Sequence, residues 1–190
     1  MALLDRYVVM LTKWNTSINL VSVSTLPDIW ARHVEDSAQL WSLVSQPWTH
    51  WVDLGSGGGL PGIVVAIIAK SLAPHGTITM VESDQRKSTF LRAVIRDLDL
   101  NAKVLAGRAE SVEPLSADVL SARALAPLKD LLPFVMRHLK PTGEAIFPKG
   151  RTVEAEIAEA QKQWRFDFDS HTSRIAPDSV VLSVRNVSRV

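Results

Sequence analysis

Five glycines fall within eight residues of the run Asp53-Leu54-Gly55-Ser56-Gly57-Gly58-Gly59-Leu60-Pro61-Gly62, just after a short apolar stretch. Gly55, Gly57 and Gly59 let a backbone turn sharply and approach a ligand closely, because no Cβ intervenes. A helix following such a turn offers unpaired amides and a positive dipole end, which suits a nucleotide. Gly57, Gly59 and Gly62 also satisfy G-x-G-x-x-G, the dinucleotide pattern. Three features favour S-adenosylmethionine instead. Asp53 stands two residues before the first glycine, where a carboxylate can meet that cofactor's charged methionine end, directly or through water. The glycines run as G-x-G-x-G after the acid. The chain is also too short to add a hydride-acceptor domain. The bland alternative is a glycine-rich turn with no ligand, but five glycines are costly to order.

A second acid, Glu82, closes the β-rich run Thr77-Ile78-Thr79-Met80-Val81. A carboxylate there can accept from both ribose hydroxyls of a nucleoside; otherwise it is a solvated strand end. Arg108-Ala109-Glu110 follows the third strand, the position that lies over an adenine in folds of this type. Arg123 follows the fourth strand, at the carboxyl edge where open α/β sheets bind ligands. It can pair there with a carboxylate or phosphate, or form a surface ion pair.

Absences narrow the methyl acceptor. The sequence has no Asn/Asp-Pro-Pro-aromatic tetrapeptide of the kind that grips exocyclic amines, and no cysteine. Disulfides, thiolate-held zinc or iron–sulfur clusters and cysteine-adduct methylation are therefore excluded. An acceptor atom with a free ring lone pair, such as guanine N7, remains attractive. It needs no proton removed first, so alignment can carry the reaction and no catalytic base is assigned. The N-terminal part holds a polar set among aromatics: Asn15, Asn19, Arg32, His33, Glu35, Asp36 and Ser37. Arg32 and His33 can meet phosphate, and Asn19 or Asp36 can read a base edge. Helix capping and core packing are the competing uses of these side chains. Arg86, Lys87, Lys149 and Arg151 add positive charge near the same sheet edge.

These residues must be positioned by a scaffold, and the sequence outlines one. The chain has 190 residues, 46% hydrophobic and 22% charged, with net charge +1. That suits one domain, a helical segment 1–46 leading into a core 47–190, with a hinge at Ser45-Gln46-Pro47. A helix runs from the N-terminus through Trp14, and a second is expected from a Thr25 cap with Pro27 in its first turn. Strands are expected at 51–54, 77–81, 102–106, 118–121, 144–147, 166–171 and 180–187. Helices are expected at 59–71, 84–97, 128–139 and 153–161, with a turn at Pro141-Thr142-Gly143. This alternation predicts a doubly wound α/β fold on a mostly parallel seven-stranded sheet, with one of the last two strands antiparallel. No apolar run approaches the ~20 residues of a membrane span. No signal peptide is apparent, so a cytoplasmic location is expected.

The ensemble resembles the bacterial guanine-N7 methyltransferases of small-subunit ribosomal RNA, the RsmG or GidB family. The resemblance covers nearly the whole chain. It rests on Lys13-Trp14-Asn15 with Ile18-Asn19-Leu20, Arg32-His33 with Asp36-Ser37, and the glycine loop with its Leu60-Pro61-Gly62 extension. Val81-Glu82-Ser83, Arg86-Lys87, Phe90-Leu91, Arg108-Ala109-Glu110, Ser121-Ala122-Arg123-Ala124 and Lys149-Gly150 complete it. The chain reads Ser121-Ala122-Arg123-Ala124 where Ser-Arg-Ala is frequent in the family. The resemblance implies methylation of guanine 527 in the 530 loop of 16S RNA, with S-adenosylmethionine as donor. It implies cofactor roles for Gly55, Leu60, Ala109, Glu110 and Arg123, and ribose contact for Glu82. Asp53, Ser56, Gly57, Gly59 and Ser83 join that expected set. Asn15, Asn19, Arg32, His33, Asp36, Arg86, Lys87 and Lys149 are expected to face RNA. The partner is 16S RNA or the small subunit, with no metal, no membrane and a monomeric enzyme.

Three rivals remain. A methyltransferase of a small molecule or protein would act without RNA. A nicotinamide-dependent oxidoreductase would bind NAD(H). A non-catalytic module would bind RNA with salt-dependent affinity and transfer nothing.

Overall fold

The inner strands of the central sheet are short and apolar, and helices pack against it. The computed structural model describes residues 2–45 and 47–190, so Met1 and the expected boundary at Gln46 lie outside the described residues. The strands are β1 (His50–Leu54), β2 (Thr77–Glu82), β3 (Ala102–Ala106), β4 (Ala117–Ala122), β5 (Leu139–Lys149), β6 (Trp164–Thr172) and β7 (Val180–Arg189). Their order is β3-β2-β1-β4-β5-β7-β6. Pairing is parallel from β3 to β5, and β7 runs antiparallel between β5 and β6. The strand order reverses between β1 and β4, the switch point outside whose carboxyl ends ligands bind in doubly wound sheets.

The longer helices are α1 (Ala2–Asn15), α3 (Gly62–Leu72), α4 (Gln85–Leu98), α5 (Leu128–His138) and α6 (Val153–Gln161). Apolar residues dominate α3, and Ile63, Val64, Val65 and Ala66 are all buried. Its expected start at Gly59 moves to Gly62. Gly55, Gly57 and Gly59 have positive φ, which a right-handed helix does not accept. An Asp84 carboxylate caps α4 by accepting from the Arg86 and Lys87 amides. Its buried face is Phe90, Leu91, Val94 and Leu98.

Two expectations are corrected. Pro141 to Gly143 is not a turn: β5 runs through it, and the irregularity appears as a register shift against β4 between Ala117 and Val119. The second N-terminal helix is not one α-helix capped by Thr25. It is a 3₁₀ turn (Val23–Asp28), a π-helical turn (Trp30–Glu35), one α turn, α2 (Asp36–Ala38), and a further 3₁₀ turn (Gln39–Ser42). Thr25 instead donates to the Ser22 carbonyl (2.7 Å). A π turn places an extra residue in the helical circuit, a distortion common at functional sites.

Aromatics fasten this N-terminal segment to the sheet. Trp14 meets Phe90 of α4 with ring centroids 5.6 Å apart. Trp41, Trp48 and Trp51 stack edge to face at 5.6 and 5.5 Å. The segment therefore shares a core with α3, α4 and β1. Among the described residues no helix is long and apolar enough to cross a membrane.

Candidate functional site

The glycine loop is built from below by Asp53. This side chain is fully buried at the end of β1. Ser121 of β4 donates to its Oδ1 (2.7 Å), and the Gly62 amide at the start of α3 reaches its Oδ2 (3.2 Å). Ser121 in turn accepts from the Trp51 indole N–H (2.9 Å). Burial pushes the Asp53 carboxyl up to about 6, against the opposing pull of its donors Ser56, Ser121 and Gly62 and the Arg123 charge. Asp53 thus braces the loop from beneath, and its oxygens are engaged in the protein interior. Of the two expected routes to a ligand, direct or through water, the buried side chain is placed for the indirect one.

Above it the loop is shaped by its backbone. Gly55 (φ 65°) donates to the Val81 carbonyl (2.8 Å), tying the loop to β2. A Cβ on Gly55 would stand 2.7 Å from Leu125. Ser56 is buried and donates to the Asp53 carbonyl (3.0 Å). Gly59 (φ 87°) packs on Ile63 and Leu91, and Leu60 is buried. Gly57 (φ 54°) is the open member: a Cβ there would meet nothing nearer than a carbonyl at 3.8 Å. Glu82 Oε2 accepts from the Gly57 amide (2.8 Å) and Oε1 from the Asp84 amide (2.8 Å). A carboxylate has about four lone-pair sites, so each oxygen keeps capacity for a hydroxyl.

Beside the loop lies a small crevice of about 90 Å³, lined by Gly55, Val81, Ser83, Gly107, Arg108, Ala109, Glu110, Leu125 and Phe134. Four expected residues meet here: Gly55, Ser83, Ala109 and Glu110. The slot mixes apolar walls (Val81, Leu125, Phe134) with Ser83, Arg108 and Glu110, and it opens between the glycine turn and the end of β2. The donor set accordingly fits S-adenosylmethionine.

Arg123 links this region to the N-terminal turn. One of its terminal nitrogens, Nη1, reaches Asp36 Oδ2 (3.3 Å) and the Arg32 carbonyl (3.4 Å), and Nη2 lies 3.2 Å from His33 Nδ1. A guanidinium only donates, so Nδ1 accepts and the His33 proton sits on Nε2, facing Thr25 Oγ1 (2.7 Å). Burial, then the Arg123 and Arg32 charges, push His33 down to about 4. It is a neutral imidazole at physiological pH. Leu125 lines both the small crevice and a larger cavity of about 410 Å³, whose walls include Asp36, Arg123, Ala124, Lys149, Gly150 and Ser173.

Other expected RNA-facing residues divide. Asn19, Arg32 and Arg86 are exposed, and Lys87 is half-buried. Asn15 is committed to the fold: its Oδ1 accepts from the Leu20 and Val21 amides (2.9 Å each). Lys149 is likewise committed. Its side chain is 8% exposed, pairs with Glu156 (2.8 Å) and donates to the Ala126 carbonyl (3.0 Å). Its alkyl stem and ammonium wall the cavity instead of projecting outward.

The sequence reading missed Tyr7, Ser121, Leu125, Phe134 and Gln39. Tyr7 is fully buried, and its hydroxyl donates to the Gly58 carbonyl (2.7 Å), joining α1 to the glycine loop. The signal was present, since a lone tyrosine on an apolar helix face needs a partner for its hydroxyl. Gln39 Nε2 donates to Asp36 Oδ1 (2.8 Å) and lies 3.3 Å from Ser173 Oγ. Its carbonyl accepts from the Arg174 amide (3.0 Å). Nothing local in the sequence announces that pairing, which spans 135 positions.

The family model for the rRNA small subunit methyltransferase G matches residues 1–177. The chain belongs to this family. A protein of Cereibacter sphaeroides called ribosomal RNA small subunit methyltransferase G is 49% identical over 187 residues, covering 98% of this chain and 90% of that protein. One of the same name from Paracoccus denitrificans is 50% identical over 182 residues, covering 95% and 92%. Among solved structures, a SAM-dependent methyltransferase from Aquifex aeolicus aligns with a TM-score of 0.61 at 12% identity, covering 86% of this chain and 93% of that one. A Pyrococcus horikoshii protein aligns at 0.65 and 14%, covering 92% and 96%. At such identities these two establish the fold alone, the doubly wound architecture in which the family's crevice is set.

Proposed function

We propose that this family member is an S-adenosylmethionine-dependent methyltransferase that methylates N7 of guanine 527 in 16S ribosomal RNA. The observation that carries the proposal is the meeting of two sets at Leu125 and Arg123. A small crevice of about 90 Å³ beside the glycine loop lies on one side, and Asp36 of the N-terminal turn walls a larger cavity of about 410 Å³ on the other. One domain, 1–190, performs both tasks: segment 1–46 faces RNA and 47–190 holds the cofactor. The enzyme acts as a monomer in the cytoplasm on RNA of the small subunit.

Bound S-adenosylmethionine supplies a methyl group on a positively charged sulfur. Gly55, Ser56, Gly57, Gly59 and Leu60 shape the loop that holds it, braced by Asp53. Glu82 takes the ribose hydroxyls, and Ser83, Ala109 and Glu110 border the base. Arg123 keeps unused N–H donors for a carboxylate while it holds Asp36. An acceptor N7 offers its own lone pair, so these residues need only align the base and exclude water. The neutral His33 adds no positive charge against the arriving methyl group. Arg32, Arg86, Lys87 and Asn19 meet the RNA backbone and neighbouring bases, while Asn15 and Lys149 shape the turns that present them.

The test is tritiated methyl transfer to small subunits lacking the modification, followed by nuclease digestion and mass spectrometry of the labelled nucleoside. Gly55→Asp serves as a blank, because a side chain there meets Leu125 at the crevice wall. Label in 7-methylguanosine, lost in the variant, is expected. Label in another nucleoside would overturn the acceptor; no label at all would leave a binding module.

A further inference from the structure

The larger cavity contains one feature that recognition of RNA in general does not require. Asp36 reaches it as a preorganised carboxylate. Gln39 donates to Oδ1 (2.8 Å) and Arg123 to Oδ2 (3.3 Å), and the side chain is 20% exposed. Gln39 is itself held by the Arg174 amide and Ser173, so the carboxylate cannot swing freely. Of its four or so lone-pair sites, two are engaged, leaving one on each oxygen. A cavity of about 410 Å³ lies within the range that takes small-molecule-sized ligands, and an extruded nucleobase is of that class.

From this geometry we infer that Asp36 is the residue that selects guanine, by accepting from N1–H and the N2 amino group of the extruded base. The inference rests on the methyltransferase reading above. The chemistry is specific. Two parallel acceptors match two adjacent donors, and among the four RNA bases only guanine presents two adjacent donors on its Watson–Crick edge. Adenine, cytosine and uracil each set an acceptor beside the donor and would leave a partly buried carboxylate facing a lone pair. The same contact leaves N7, on the opposite edge of the purine, free to meet the methyl group. On transfer, the N7 lone pair would become the new N–C bond as the S–C bond of the sulfonium donor breaks and its electron pair stays on sulfur as a neutral thioether; the positive charge passes to the base, and no proton is transferred. The N1–H is then more acidic and its hydrogen bond to a carboxylate stronger. Asp36 therefore binds the transition state better than the ground state. The Arg123 guanidinium holds Asp36 in place for this role, while His33 beside it stays neutral.

The test compares guanosine with inosine, which keeps N1–H and N7 but lacks the N2 amino group. Small subunits are reconstituted around 16S RNA carrying either nucleoside at the acceptor position. Both are treated with the wild-type protein and with Asp36→Asn, and kcat/KM is read for each pair. Thermal unfolding of Asp36→Asn confirms that it is folded. A lost hydrogen bond to a charged group predicts that the wild type prefers guanosine by roughly 10–100-fold. The variant should lose most of its activity on guanosine, in kcat as well as in kcat/KM, and its guanosine-to-inosine ratio should fall toward one. Equal wild-type rates on the two nucleosides overturn the inference, as does a wild-type ratio retained in Asp36→Asn. Equal wild-type rates refute the inference even if Asp36→Asn does not fold, and Asp36→Glu, which keeps the carboxylate but moves it, then carries the assignment to Asp36 through its altered guanosine-to-inosine ratio. Absence of 7-methylguanosine from the wild-type reaction on guanosine would instead overturn the methyltransferase reading itself.

Discussion

Ser121→Ala removes the hydroxyl that joins Trp51 to Asp53, and its consequences can be worked through. Ser121 is fully buried between the Trp51 indole N–H (2.9 Å) and Asp53 Oδ1 (2.7 Å). The indole is a donor only and cannot turn to water, so it becomes a buried orphan at a cost of about 1–3 kcal/mol. Asp53 loses its shortest donor, a further penalty of about 1–2 kcal/mol that applies only while the carboxyl is ionised. The sign with pH follows from burial. Asp53 is raised from its ordinary 3.8 to about 6, so its contribution to folding is complete below the ordinary value and lost as pH rises through the folded value. Removing Ser121, which favours the charged form, pushes the folded value higher still. Ser121→Ala should therefore cost roughly 3 kcal/mol at pH 8 and about 1 kcal/mol less at pH 5. At 2–4 °C per kcal/mol for a chain of this size, that is a Tm drop of roughly 6–12 °C at pH 8. Thermal unfolding at both pH values, with calorimetric titration of S-adenosylmethionine at pH 8, is the assay. A Tm drop identical at pH 5 and pH 8 would show that Asp53 is not ionised against Ser121. An unchanged cofactor Kd would show that the brace under the loop does not shape it.

Other variants probe the remaining elements. Tyr7→Phe leaves the buried Gly58 carbonyl without its donor, so about 1–3 kcal/mol of stability should be lost in urea unfolding; an unchanged midpoint would remove α1 from the support of the loop. Gly59→Ala puts a Cβ 2.9 Å from that of Ile63 at φ 87°, and the soluble yield and Tm should fall far more than in Gly57→Ala, where the space is open. His33 is lowered to about 4, so the stability it contributes is full above its ordinary 6.5 and is lost as pH falls through about 4; His33→Gln should flatten the Tm profile across that window. Arg86→Ala should reduce the salt dependence of RNA binding by about one ion, whereas Lys149→Met, which breaks an inner pair with Glu156, should lower Tm without changing that slope. Filter binding from low to high salt distinguishes the two, and equal slopes for Arg86→Ala and wild type would take Arg86 off the phosphate path.

Much of the site was legible because its chemistry is local. The positive φ values at Gly55, Gly57 and Gly59 are needs that only glycine meets cheaply, and Glu82 and Ser83 are placed by the strand end they follow. Apolar runs at β1, β2 and β4 and the amphipathic period of α4 gave the alternation, hence a parallel sheet and its crevice. The loop's braces were not legible. Whether Asp53 faces a ligand or the interior depends on Ser121, 68 positions away on the neighbouring strand. Whether Lys149 is a surface charge or a buried strut depends on Glu156 and on the Ala126 carbonyl. The π turn at Trp30–Glu35 shifted Arg32, His33 and Asp36 from a regular helix face into one cluster around Arg123. Residue type and spacing by themselves determined the sheet, the glycine turn and the family, because those follow from backbone freedom and hydrophobic period. Only the tertiary structure decided which polar groups are spent on one another and which remain for a ligand, because a hydrogen bond is settled by distance and burial, and neither is written in a residue's neighbours along the chain.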